Sequence, residues 1–143
     1  MELEFKDDYD ALSIKCPPNH FKPHKIETVY RWTFEKIEDN RNFQSQYHKK
    51  PKRFHLKSDI DKCKALALSM FNDLAGAKIR FEELAEDMGD KVYENLGNRI
   101  AKGFIDTESG LNGNIERLGH FNHHPSKGIP AKLTFKILED QRL

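Results

Sequence analysis

Cysteine is scarce in this chain of 143 residues, which contains only Cys16 and Cys63 and no CxxC pair. A disulfide framework and an all-cysteine zinc site both need more cysteines than this. Cysteines outside such frameworks are among the most buried residue types. The sequence therefore predicts two reduced, buried thiols.

Long apolar runs are also missing, because no stretch approaches the roughly 18–20 residues needed to span a bilayer. The first eight residues are acidic, and no apolar segment follows them as it would in a secretory signal peptide. We therefore predict an intracellular, cytoplasmic protein with no membrane partner.

The short motifs that announce common chemistries are absent. There is no GxxxxGK[ST] or GxGxxG for phosphates and dinucleotides, and no HExxH or GxSxG for hydrolysis. The spacing His120-x-x-His123 is shorter than that of a zinc finger. The sequence thus predicts no cofactor and no metal site, and it leaves open whether the protein is an enzyme.

Bulky core material is present, with ten Phe, four Tyr and one Trp in a chain that is 37% hydrophobic. No repeat or flexible linker divides the chain, so we predict a single domain over residues 1–143. A long helix is expected after a cap at Asn72 or Asp73, with Gly89 as its stop. A shorter helix starts at the Ser58-x-x-Asp61 pattern. Helical spacing also fits residues 65–71, but we favour a strand there. Further strands are predicted over 26–34, where helical spacing fits equally well by count, and over 99–105 and 132–138.

The remaining segments are polar or rich in turn residues. Residues 38–57 are predicted to form an exposed excursion, and residues 106–128, with four of the eight glycines, a long Gly/His-rich loop before the C-terminal strand. The expected architecture is α+β, with a small sheet packed against one or two helices.

Charge is balanced overall but segregated along the chain. Lys plus Arg total 24 and Asp plus Glu total 23, yet residues 20–57 carry a net +6 and residues 58–94 a net −4. Oppositely charged surfaces favour docking to a protein partner. We therefore predict first a non-enzymatic interaction protein, such as a regulator, inhibitor or accessory factor of a bacterial or mobile-element system.

The densest basic segment predicts nucleic-acid binding as an alternative. Tyr47 and Phe54 are available there to stack on bases. Lys127, with the amides of its loop, is a further candidate for holding a phosphate. The candidate phosphate contacts of the basic segment are Lys49, Lys50, Lys52, Arg53 and Lys57.

Four residues are candidates for catalysis, the second alternative. His120 and His123 lie in a histidine-rich segment and are possible general acid–base groups. Arg31 interrupts an apolar run, where its guanidinium is suited to a phosphate or carboxylate. Ser69, within the apolar segment 66–71, supplies a hydroxyl. Together they predict a small transferase or hydrolase.

The order of these features resembles small ADP-ribosyltransferase-like domains. Tyr30-Arg31 lies in a first strand, Ser69-Met70-Phe71 ends a second, a helix follows, and then comes the strand 100–105. The resemblance implies nicotinamide dinucleotide binding through an arginine or histidine and a serine. That family often uses a late glutamate, for which no position of this sequence is assigned.

Overall fold

The computed structural model describes residues 1–129 and 135–143, and its centre is a six-stranded antiparallel sheet. In chain order the strands are β1 (Ile26–Thr33), β2 (Leu68–Phe71), β3 (Arg99–Ile105), β4 (Gly110–Asn112), β5 (His120–Pro125) and β6 (Lys136–Arg142). Across the sheet they are ordered β4-β5-β2-β1-β3-β6. The α-helices of the described residues are α1 (Lys6–Asp10), α2 (Gln46–Lys49), α3 (Asp59–Leu66), α4 (Leu74–Met88) and α5 (Lys91–Leu96). The α+β class is therefore confirmed.

Several predicted elements are confirmed with their local causes. The Ser58 hydroxyl caps α3 by accepting the Asp61 N–H at 3.2 Å, and β2 begins two residues after α3 ends. The Asp73 carboxylate caps α4 by accepting the Gly76 N–H at 2.8 Å. This helix stops at Gly89, whose φ of 61° suits glycine. Strand β3 has the predicted bounds, and β1 follows the predicted course.

The prediction of a long loop over 106–128 is wrong, because this segment contributes β4 and β5 to the sheet. In β5, Phe121 and His123 are completely buried and alternate with His120 and Asn122, which are partly exposed. Histidine reads as polar in a sequence, which hides this period of two. A neutral, hydrogen-bonded imidazole nevertheless occupies a sheet interior well.

Two other expectations need correction. The described residues hold five α-helices rather than one or two, and the excursion over 38–57 contains α2 and short 3₁₀ helices at Asn40–Phe43 and Pro51–Phe54. It is anchored by buried Asn42, whose side-chain oxygen accepts the Phe34 N–H at 2.7 Å. The predicted C-terminal strand begins at Lys136, while residues 132–134 lie outside the described residues.

The main core lies on one face of the sheet and contains Val29, Met70, Phe121 and Phe135. A second cluster joins the N-terminal segment to α3 through Tyr9, Cys16, Cys63 and Leu66. The two cysteines form a disulfide with a Cα–Cα distance of 5.9 Å, so the prediction of reduced thiols is wrong. They are 47 residues apart and meet only because the segments pack together, which no local spacing reveals. None of the helices within residues 1–129 and 135–143 combines the length and the hydropathy that a bilayer crossing requires.

Candidate functional site

One face of the sheet carries a polar row formed by β2 and β5. These strands pair antiparallel, with Ser69 opposite Asn122 and Phe71 opposite His120. Because side chains alternate between faces along a strand, Ser69, Asn122 and His120 all lie on the same side. The pairing thus places a hydroxyl, an amide and an imidazole next to one another.

Ser69, His120 and Glu116 form a continuous hydrogen-bonded chain. The Ser69 hydroxyl lies 2.6 Å from His120 Nε2, and the Glu116 carboxylate lies 3.2 Å from His120 Nδ1. Burial lowers the pKa of His120, an effect that the Glu116 charge partly opposes. The imidazole is therefore neutral at pH 7, with Nδ1–H donating to the carboxylate and Nε2 free to accept the serine proton.

This chain opens into a groove on the surface. A cavity of about 540 Å³ is bordered by Ser69, His120 and Glu116, and a second, of about 450 Å³, continues from it towards α2. The two cavities share five lining residues, and we call them together the groove. The shared residues are Trp32, Lys64, Ser69, Leu84 and Asn122.

The groove is strongly cationic. Of the described residues that line its two cavities, seven are Lys or Arg and two are acidic. Arg80 and Arg117 are paired with Glu83 outside the lining, and the remaining lining side chains still carry more positive than negative charge, which favours a negatively charged ligand. The cations are Arg31, Lys49, Arg53, Lys57, Lys64, Arg80 and Arg117, and the carboxylates are Asp61 and Glu116.

Arg31 is buried and binds the backbone. Its guanidinium donates to the carbonyls of Asn42 at 2.7 Å, Ser69 at 2.7 Å and Gln44 at 3.2 Å. Burial lowers its pKa to about 10, so it stays charged at neutral pH. It joins the 40–45 segment to the Ser69 backbone and so acts on the site by positioning. The ligand-binding role implied by the resemblance stays a prediction.

His123 and Lys127 are not brought to the groove. His123 is completely buried on the opposite face of β5, where its Nδ1 lies 2.5 Å from the Asn112 side-chain oxygen. Burial lowers its pKa to about 3, which keeps it neutral. Lys127 forms an exposed ion pair with Glu2 at 3.3 Å.

The predicted basic segment divides between two cavities. Lys49, Arg53 and Lys57 line the groove. Lys50 and Lys52 do not line the groove and border a neighbouring cavity next to α5, which Lys49 and Arg53 also line. Lys49 donates to the Asn95 carbonyl at 2.9 Å, and burial, reinforced by Arg31 and Arg41, lowers its pKa to about 7. Tyr47 and Phe54, the rings predicted to stack on bases, stack on each other with their centroids 5.9 Å apart.

A second serine–histidine–carboxylate chain is closed to ligands. Ser45 lies 2.7 Å from His48 Nδ1, and His48 Nε2 lies 2.9 Å from an Asp8 oxygen. Ser45 is 1% exposed, and its hydroxyl also caps α2 by accepting the His48 N–H. Ser45 lines neither cavity of the groove. The chain at Ser45 is therefore structural, whereas the partly buried Ser69 borders the groove.

One group of described residues has the composition of a metal site. The ligand atoms of Cys16, Cys63 and His124 all lie within 4.8 Å of one another. His124 follows His120 and Asn122 on the same face of β5, so this group lies towards the far end of the polar row.

Sequence reasoning found Ser69 and His120 but missed Glu116, Lys64 and Asn122. Glu116 precedes His120 by four residues, and a turn through Leu118, with a φ of 64°, brings the carboxylate back to the ring. The Glu-x₃-His spacing was a visible signal, although it has meaning only once the turn is known. Comparison with protein-family profiles, with curated proteins and with solved structures found no match for this chain.

Proposed function

We propose that this protein is a small hydrolase or transferase that acts on an anionic substrate with Ser69 as nucleophile. The observation that carries the proposal is the 2.6 Å contact between the Ser69 hydroxyl and His120 Nε2 inside an open, cationic groove. A serine is a weak nucleophile on its own and needs an adjacent base that a third group orients. His120 and Glu116 are placed for these two roles.

The proton transfers of the proposed reaction follow the hydrogen-bonded chain from Ser69 through His120 to Glu116. Ser69 Oγ would attack an acyl or phosphoryl centre while its proton passes to His120 Nε2. The resulting imidazolium, stabilised by Glu116, would then give that proton to the leaving group. Water or a second acceptor would resolve the covalent intermediate in the same way. The Asn122 amide and the Lys64 ammonium, which border both cavities, are placed to stabilise the negative charge that develops.

A fluorophosphonate probe tests the nucleophile without knowledge of the substrate. The serine oxygen displaces fluoride from phosphorus, and the proton that it loses is accepted by the base. We expect one labelled site, located at Ser69 by mass spectrometry, and none in the Ser69→Ala protein. Since His120 supplies the base, His120→Asn should slow labelling by roughly 10²–10⁴-fold, the range of a general base.

The closed chain at Ser45 provides a matched control. Ser45→Ala removes an equivalent hydroxyl beside His48 and should leave the labelling rate unchanged, because Ser45 is 1% exposed and lines neither cavity of the groove. Melting curves of all variants would separate loss of chemistry from loss of fold. Absence of labelling at Ser69, or labelling that His120→Asn does not slow, would refute the proposal.

A second candidate, nucleic-acid binding without chemistry, is favoured by the three basic side chains that enter the groove from the 49–57 segment. Neutralising three phosphates of a single strand gives a slope of log affinity against log salt of about −2. Replacing Arg53 and Lys57 by Gln should reduce this slope. The matched control is Lys50→Gln with Lys52→Gln, which changes the charge by the same amount outside the groove. Affinity that does not depend on salt would exclude this candidate.

Two sequence-based hypotheses remain as proposals beside these. Docking to a protein partner rests on the segregated charges, and isolation of a stoichiometric complex would test it. A cytoplasmic location is the second of these hypotheses. In a cytoplasm the thiol–disulfide systems of the cell would keep cysteines reduced, and the Cys16–Cys63 bond would then be open.

A further inference from the structure

The group formed by Cys16, Cys63 and His124 joins three separate parts of the chain. Cys16 belongs to the segment after α1, Cys63 to α3 and His124 to β5. Their ligand atoms lie within 4.8 Å of one another. The proposed hydrolase chemistry does not use any of them, so this group calls for its own explanation.

Two thiolates and an imidazole are a preferred ligand set for zinc. Zn–S bonds of about 2.3 Å and Zn–N bonds of about 2.0–2.1 Å put the ligand atoms of a tetrahedral site about 3.5–3.8 Å apart. The three ligand atoms lie within 4.8 Å of one another, so shifts of about 1 Å bring them to these separations. The sulfurs need only separate once the bond between them is broken, which side-chain rotation can provide.

The surroundings of His124 suit a ligand. The Tyr9 hydroxyl lies 2.8 Å from His124 Nδ1 and fixes the ring, as outer-shell partners of zinc-bound histidines do. With Nδ1 engaged, Nε2 is the nitrogen left for a metal.

The fourth coordination position has room. A cavity of about 270 Å³ is bordered by Cys63, His124 and His20. A water molecule in this cavity, or the His20 ring after a side-chain rotation, completes the tetrahedron. A site with three protein ligands and access to a cavity has the architecture of an open zinc centre.

We propose that reduction of the Cys16–Cys63 disulfide converts this group into a zinc site with Cys16, Cys63 and His124 as ligands. A cellular dithiol supplies two electrons and two protons, the sulfur–sulfur bond breaks to give two thiols, and the dithiol becomes a disulfide. Zinc then binds both sulfurs and releases two protons to solvent. The protein accordingly alternates between a disulfide and a zinc bridge at the same place.

Metal analysis of the intact chain in two redox states tests the proposal. Protein reduced with a phosphine under anaerobic conditions should retain one equivalent of zinc after gel filtration, and oxidised protein none. Cobalt in place of zinc should show the sulfur-to-cobalt charge transfer and the intense visible bands of a tetrahedral site. This comparison needs no variant, and circular dichroism of the reduced, zinc-free protein verifies that it is folded.

Variants then test whether His124 is the imidazole ligand of the zinc. We expect Tyr9→Phe to weaken zinc binding by roughly 10–100-fold, as loss of an outer-shell partner does, and His124→Asn to weaken it more. His24→Asn, outside the cavity, is the matched control and should have no effect. Reduced protein that binds no zinc, or zinc affinity that is the same in His124→Asn, would overturn the proposal. Glu116, Lys64 and Asn122 border both this cavity and the groove. The serine labelling is therefore measured on oxidised, zinc-free protein, so that its outcome is distinguishable from that of the zinc measurement.

Discussion

Gly76 tests the close packing of α4 against the turn that carries the candidate site. A β-carbon added at this buried glycine would lie 1.8 Å from the carbonyl oxygen of Leu118. Alanine normally stabilises a helix interior relative to glycine by about 1 kcal/mol. At Gly76 we expect the opposite sign, because the new methyl group meets backbone rather than a flexible side chain.

The magnitude follows from the distance. An ordinary contact is about 3.4 Å, so helix and turn must separate by roughly 1.6 Å, at the upper end of the 1–3 kcal/mol that overpacking costs. Subtracting the helical gain leaves a loss of about 2 kcal/mol. In a domain of this size that corresponds to a melting temperature lower by about 4–8 °C.

Two assays read the effect in Gly76→Ala. Thermal or urea unfolding gives the loss of stability, and fluorophosphonate labelling reports the site, because Leu118 lies between Glu116 and His120. A displacement of about 1 Å can reduce catalysis by roughly 10²-fold, so labelling should fall. Ala75→Gly, one residue earlier and exposed, measures the intrinsic helical difference in the same turn. A Gly76→Ala protein stabilised by about 1 kcal/mol would refute the described packing.

Two further predictions concern pH. In Glu116→Gln, loss of the carboxylate charge should lower the pKa of His120 further, so the acid limb of the pH profile of labelling should move to lower pH. An acid limb at the same pH as in the wild type would show that Glu116 does not act on His120. Lys49 has a folded pKa of about 7, below its ordinary 10.5, so above pH 7 the unfolded chain holds the proton that the folded chain has released. Stability should therefore rise between pH 7 and 9.5 in the wild type, less so in Lys49→Met, with Lys50→Met as control. Parallel unfolding curves for wild type and Lys49→Met would contradict this assignment.

Local patterns predicted the elements whose causes lie within a few residues. The caps at Ser58 and Asp73 and the stop at Gly89 each act over one or two turns of chain. The meeting of Ser69 and His120 lies beyond the reach of such patterns, because it depends on β2 pairing with β5 and joins residues 51 positions apart. The sequence could name both side chains as candidates, but only the sheet puts them in contact.

Other features were misjudged because residue type is a poor guide to environment. His123 and Arg31 count as polar or charged, yet both are buried, one as a neutral ring and the other by binding three carbonyls. The sequence shows the cost of burying such groups but not the partners that offset it. The disulfide eluded prediction for the same reason, since only tertiary packing joins positions 47 apart.

The alternation of β5 constrains how this protein can vary. A single residue inserted or deleted within 120–125 would move every following side chain of the strand to the opposite face of the sheet. Core side chains such as Phe121 and His123 would then exchange faces with His120, Asn122 and His124. A substitution in this strand changes one side chain, whereas a change in length by one residue changes which face each following side chain occupies. Homologous sequences that keep the site should therefore differ in length in the turns on either side of this strand, and inside it only by even numbers of residues.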